Sequence, residues 1–259
     1  MERRRCNRGF TLVELLVVIG IIALLISILL PALSQAQRAA QATKCQANVR
    51  SLAQAIRAFS VDNNDHFPGF KIKSGPSWRY DWLAGATSFD PGSKSSSQQP
   101  QAGTLFKYVR NKQVYRCPAI PEGEWKSGVD SNGLFDYSLP SKFNGAKLSK
   151  IPRTAQIRID SYVANIPTPI VMEEHPSYIN KWCDGSFCED DQLTYNHRKG
   201  THIGTVDGSV HWFGPPEERM SGDSGVKAKT IYVRTPSGKE INFDGEYKGE
   251  DTFGKFNRE

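Results

Sequence analysis

Charge is missing where the chain is most apolar. From Leu15 to Leu30 there are sixteen residues without Asp, Glu, Lys or Arg, which excludes a solvated surface helix. As a helix at about 1.5 Å per residue, the run nearly crosses a hydrocarbon core. Glycine and proline are missing from Ala32 to Phe59, which excludes a turn there. Alanine and glutamine fill that stretch, so the helix is expected to continue, as alanine is the strongest helix former. Cysteine is scarce, with five among 259 residues, and the spacings fit no zinc module. Cys183 and Cys188 form an isolated Cys-x4-Cys, with Cys45 and Cys117 far away in sequence. No serine, cysteine or carboxylate nucleophile stands beside a base, so the expectation is no enzyme.

What is present begins with charge of one sign. Arg3, Arg4, Arg5 and Arg8 precede the apolar run. Basic residues before an apolar helix keep that end in the cytoplasm, so the bulk of the chain is expected on the far side, in the periplasm. The net charge of +6 and the pI near 9.0 therefore reflect topology in good part, and no nucleic acid is expected. Inside the apolar helix Glu14 stands alone. A carboxylate in lipid is costly unless paired, so Glu14 asks for a partner.

Past Pro31, the residues Cys45, Val49, Leu52, Ile56 and Phe59 recur at helical spacing and line one face. This stripe predicts a helix of about fifty residues, roughly 75 Å long, with its first half in a membrane and its second half packed on a head. Pro31 removes a backbone donor and is expected to bend or locally open the helix. The cluster Asp62-Asn63-Asn64-Asp65, with Pro68-Gly69, ends it as a turn.

The run Arg8-Gly9-Phe10-Thr11-Leu12-Val13-Glu14-Leu15-Leu16 resembles the class III signal of type IV pilins and type II secretion pseudopilins. The resemblance implies cleavage between Gly9 and Phe10 by a prepilin peptidase/methyltransferase, and N-methylation of Phe10. It implies that Phe10 and Glu14 carry assembly, Glu14 meeting the α-amine of a neighbouring subunit's Phe10. Pro31 falls where many pilin helices kink. The implied fold is α+β and pilin-like, with one long N-terminal helix packed on a mainly antiparallel β-sheet head. The implied organisation is a leader over 1–9, the helix over 10–60 with its membrane part at about 12–33, and an exported head over 61–259. The implied partners are other pilin-like subunits and an assembly platform with its cytoplasmic ATPase. The implied setting is the bacterial inner membrane, single-pass, or the cell surface once a pilus or pseudopilus-type filament has assembled. Two other readings of this stretch are a plain membrane anchor and a secretory signal cut after Ala36.

Loss of the leader would remove Cys6 and leave four cysteines, an even set suited to an oxidising compartment. Two disulfides are then expected. Of three pairings, Cys183–Cys188 and Cys45–Cys117 is the one chosen, with free buried thiols as the alternative.

In the head, Asp207-Gly208 between two β-rich runs predicts a two-residue type I′ hairpin over 197–213. That register puts Ile203, Thr205, Val210 and Trp212 on the core face, and His202, Gly204, Ser209 and His211 on the other. His197, nine residues and Asp207-Gly208 resemble the H-X9-DG segment of a pilin-like group abundant in planctomycetes, which carries the same N-terminal signal. The expectation is structural: Asp207-Gly208 turns the chain and His197 bonds the hairpin's backbone, with no metal. Further strands are expected at Val114–Pro118, Leu134–Tyr137, Ile157–Ile159 and Ile170–Glu174, with a last hairpin across Pro236–Gly238. Asp184, Glu189, Asp190 and Asp191 are weak calcium candidates, with a solvated acidic loop preferred. The alternative function is a membrane-tethered exported module binding polysaccharide or peptide, with Trp78, Trp82, Trp125 or Trp182 stacking on sugar.

Overall fold

The structure is a computed structural model that describes residues 11–69, 81–83, 99–121, 134–175, 185–187, 191–219, 225–235 and 237–243. The chain divides into two compact units, Met1–Ala40 and Gln41–Glu259. One helix, α1, spans Leu12–Asp62 and belongs in part to each.

Within the first unit α1 exposes its apolar side chains on every side. Leu24, Ile28 and Leu29 are each more than half exposed, and the most apolar 18 residues have a mean hydropathy of 3.1. An apolar surface all round a helix has no packing partner in water and fits a bilayer. The helix continues through Pro31, and Ser34 Oγ donates to the Pro31 carbonyl at 2.8 Å.

Within the second unit α1 is one-sided. Cys45, Val49, Leu52, Ile56 and Phe59 are buried, as the stripe predicts, and Asn48, Ala53 and Ala55 widen it. Asn64 and Asp65 then take left-handed φ values of 52° and 69°, and the Asp65 N–H returns to the Ser60 carbonyl at 2.7 Å. A short helix, α2, covers Phe106–Val109.

A five-stranded sheet has the order β5-β1-β4-β6-β7. Its strands are β1 (Tyr137–Pro140), β4 (Pro169–Glu173), β5 (Ser186–Phe187), β6 (Thr201–Thr205) and β7 (Val210–Phe213). All neighbours are antiparallel except β1 and β5. A four-stranded antiparallel sheet, β3-β2-β8-β9, is built from β2 (Thr154–Ile159), β3 (Tyr162–Pro167), β8 (Ile231–Arg234) and β9 (Glu240–Asn242). The α+β class expected from the sequence is the one observed. The core joins the α1 stripe to both sheets, with Tyr137, Phe143, Ile157, Met172, Ile203 and Ile231 fully buried.

Two local expectations are corrected. Residues 112–115 form a 3-10 turn where a strand was expected. Asn111 starts it by accepting the Gln113 N–H at 2.9 Å, a local side-chain bond that competes with strand formation. The 197–213 hairpin also has an odd loop. Gly208 donates to Thr205 at 2.8 Å, and Gly208 alone of the Asp207-Gly208 pair has positive φ, at 82°. This is a type I turn closed by a left-handed glycine, not a two-residue type I′ turn. One extra residue shifts the pairing, so Gly204 faces Val210 and His202 faces Trp212. Opposite residues share a face, so His202, Gly204, Val210 and Trp212 lie on one face. His202 is buried because β6 is an inner strand, and Trp212 is 52% exposed because β7 is the edge strand. A Cβ on Gly204 would lie 3.1 Å from both Ala53 and Val49 of α1, so the absent side chain is what lets helix and sheet approach.

Candidate functional site

The start of α1 is the first site. Thr11 and Glu14 form a reciprocal cap. Glu14 N–H donates to Thr11 Oγ1 at 3.2 Å, and Thr11 N–H donates to Glu14 Oε2 at 2.9 Å. The Thr11 hydroxyl also donates to the carboxylate at 2.8 Å. Ser/Thr at the cap with Glu three residues on satisfies two orphan N–H groups at once. The partner Glu14 asks for is thus supplied, in the single chain, by its own helix start. Gly9 and Phe10 lie outside the described residues.

The second site is buried in the second unit, and four distant stretches of chain build it. Cys45 comes from the α1 stripe. Asn48, one turn on, donates to the Arg116 carbonyl at 2.8 Å and holds the following residue, Cys117, beside the helix. Asp136 reinforces that loop, accepting from Cys117 N–H and from Arg116 Nε, both at 2.7 Å. Burial pushes the Asp136 carboxyl up to about 6, against the pull of Arg116. Glu173 ends β4 directly opposite Tyr137 of β1. Residues opposite each other share a face of the sheet, and both side chains meet Cys45. His197 arrives because Leu193 bridges Glu174, bringing the segment before the hairpin alongside β4.

The distances are short and the burial complete. Cys45 Sγ donates to Glu173 Oε2 at 3.3 Å. His197 Nε2 is 3.2 Å from the same oxygen and 3.3 Å from Cys117 Sγ. The four ligating atoms all lie within 4.8 Å of one another, and each residue is at most 2% exposed. Burial pushes the Glu173 carboxyl up, but His197 and the two thiols outweigh it and hold the group below the usual carboxylate range. For His197 burial acts downward, and contact with Cys117 and Glu173 reverses it, to about 10. The Cys45 thiol is pushed far up by its contact with Cys117, by burial and by the Glu173 charge. Burial and the His197 charge push neighbouring His202 down to about 4.

The sequence points to Cys45, Cys117 and His197 separately, but not to their meeting with Glu173. Cys45 and Cys117 are neighbours, as their chosen pairing requires, but both are free thiols, turned onto Glu173 and His197. His197 does bond the hairpin through its backbone, exchanging hydrogen bonds with Gly200 and accepting from Trp212 Nε1 at 2.8 Å. Its ring points into the cluster instead. Glu173 was read as the end of a strand and nothing more. A buried-strand pattern running into a carboxylate was the signal that could have raised it. Asp207 stays in the turn, accepting from Thr205 and Ser209, and Arg57 of α1 donates to the Val206 carbonyl beside it at 3.1 Å. Cys183, Cys188, Asp184, Glu189 and Asp190 lie outside the described residues. Asp191 is fully buried, unlike the solvated loop expected for it.

An exposed, all-round apolar helix behind a capped Thr-Glu start fits a membrane-anchoring segment. Residues 4–30 match the family model for the prokaryotic N-terminal methylation motif. Over 62 residues the chain is 39% identical to the type IV wide pilus major component PilA4 of Thermus thermophilus. That similarity covers 24% of this chain and 47% of the relative, so the chain spans about half the length of the curated relative it matches. The chain thus carries the methylation motif over residues 4–30 and is similar to a pilin over about a quarter of its length. No solved structure matches it.

Proposed function

We propose that the chain is a structural, non-enzymatic subunit of a type IV pilus or type II secretion pseudopilus-type filament. In this reading a prepilin peptidase cuts at Gly9/Phe10 and methylates Phe10. Leu12–Leu33 holds the subunit in the inner membrane, with its second unit outside the cytoplasm, until like subunits and the platform with its ATPase assemble it. The observation that carries the reading is the match to the methylation motif over residues 4–30, on a helix whose apolar surface has no partner among the described residues. Helices with such surfaces associate side by side or stay in lipid.

The Thr11–Glu14 cap adds a mechanism. In the single subunit the carboxylate satisfies its own helix start, which lets it stay in the membrane at reduced cost. During assembly it can exchange part of that bonding for the α-amine of a neighbour's Phe10. Such an exchange sets the axial register of subunits more than it adds stability. The test is Glu14→Ala in cells, with filaments counted by electron microscopy and the subunit followed in the membrane fraction. Retained membrane protein with no filaments supports the reading. Normal filaments contradict it. The tethered binding-module reading loses one of its four tryptophans, because Trp82 is fully buried. Trp78, Trp125 and Trp182 lie outside the described residues.

A further inference from the structure

We propose that Cys45, Cys117, Glu173 and His197 are the four ligands of a structural site for a thiophilic divalent cation, zinc by its ligand set. The proposal concerns the second unit and does not depend on N-terminal processing.

Three observations carry it. The first is spacing. Tetrahedral zinc has arms of roughly 2.0–2.3 Å to O, N and S, which sets its ligand atoms roughly 3.3–3.8 Å apart. The cluster shows 3.2 Å from His197 Nε2 to Glu173 Oε2, and 3.3 Å both from Cys117 Sγ to His197 Nε2 and from Cys45 Sγ to Glu173 Oε2, with all four atoms within 4.8 Å of one another. The second is an unmet bonding demand. Among the described residues Glu173 Oε1 is buried without a hydrogen-bond partner, while Cys45 and His197 both reach the carboxylate through Oε2. A buried charge is normally paired or bound to metal. The third is the support around the sulfurs. Tyr137 hydroxyl donates to Cys45 Sγ at 3.4 Å, and Ala119 N–H donates to Cys117 Sγ at 3.4 Å. Donors aimed at sulfur orient thiolate ligands, and the Asp136 and Asn48 bonds fix the loop that carries Cys117.

The ligand chemistry selects the ion. Two thiolates with an imidazole and one carboxylate favour zinc over magnesium or calcium, which take oxygen shells. Four protein ligands leave no open position for a reacting water, so the ion is structural. It would tie α1 to β4, to the Cys117 loop and to the entry of the hairpin. The H-X9-DG element then acquires a role at each end: His197 binds the ion, and Asp207-Gly208 sets the hairpin that holds His197 in place.

The test uses the full chain extracted from its native membrane in mild detergent. Metal content is measured by mass spectrometry, and chelator-treated, reduced protein is titrated with zinc and with cobalt. One zinc per chain, and cobalt spectra of a tetrahedral thiolate site, are expected. Cys45→Ser should lose the metal, and if that variant fails to fold, Glu173→Gln keeps the side chain's size and should also lose stoichiometric zinc. Tyr137→Phe should weaken zinc roughly 10-fold while leaving one site. Cys183→Ser with Cys188→Ser should leave the metal in place. A chain that takes up no zinc overturns the proposal. So does a Cys45–Cys117 disulfide in the extracted protein, or zinc that survives Glu173→Gln but departs with Cys183 and Cys188.

Discussion

The two stretches of α1 share a conformation and little else. Before Ala40 the large apolar side chains are exposed throughout, and beyond Gln41 the buried face is narrow while charges stay outside it. Leu24 is 63% exposed and Leu52 is fully buried, although each is a leucine in the same helix. Helical geometry is therefore no guide to what holds a segment. Among the described residues nothing covers the first stretch, while the protein's own sheet covers the second.

The most disruptive change separates the two stretches. Leu52→Ala should destabilise the second unit by about 3 kcal/mol, because a buried leucine loses both transfer free energy and packing. Leu24→Ala should change the same denaturation curve by less than about 0.5 kcal/mol. Leu24→Lys reverses the roles, since a charge at mid-helix costs about 3 kcal/mol of membrane insertion and shows as lost membrane fraction with a normally folded second unit. Gly204→Val comes next, at about 2 kcal/mol, because its side chain would press on Ala53 and Val49 and overpack the helix–sheet contact. Thermal unfolding in detergent would register it. Asn48→Ala should cost about 1 kcal/mol for the lost bond to the Arg116 carbonyl.

The smallest effect is pH-dependent and confined to the second unit. Thr205 and Ser209 hold the Asp207 carboxyl well below the usual carboxylate range. The resulting stabilisation is fully present above about pH 4, the ordinary aspartate value, and is lost as pH falls below it through the depressed folded value. Asp207→Asn should lower stability slightly near neutrality and flatten the acid limb, in urea melts taken from pH 7 down to 2.

What could be read in the sequence divides along the same line. The apolar run and the Cys45–Phe59 stripe are local periodicities, and a helix expresses them directly. Hairpin positions were legible for the same reason, as at Asp207-Gly208. The register was not, because turn type and loop length set it, and one added loop residue changes which residues pair. His202, expected outside, is buried because β6 is an inner strand, and Trp212, expected inside, is exposed because β7 is the edge. The buried cluster was hardest to see. Cys45, Cys117, Glu173 and His197 are far apart in sequence, and no short spacing links them. Their meeting is set by strand order, through the β1–β4 pairing and the Glu174–Leu193 bridge.

The central claim concerns how the first stretch of the chain is made and used. Its most direct test is the intact mass and N-terminal sequence of the protein extracted from its native membrane. The account predicts a chain that begins at N-methylated Phe10. A chain beginning at Gln37, or one that retains Met1, would contradict it.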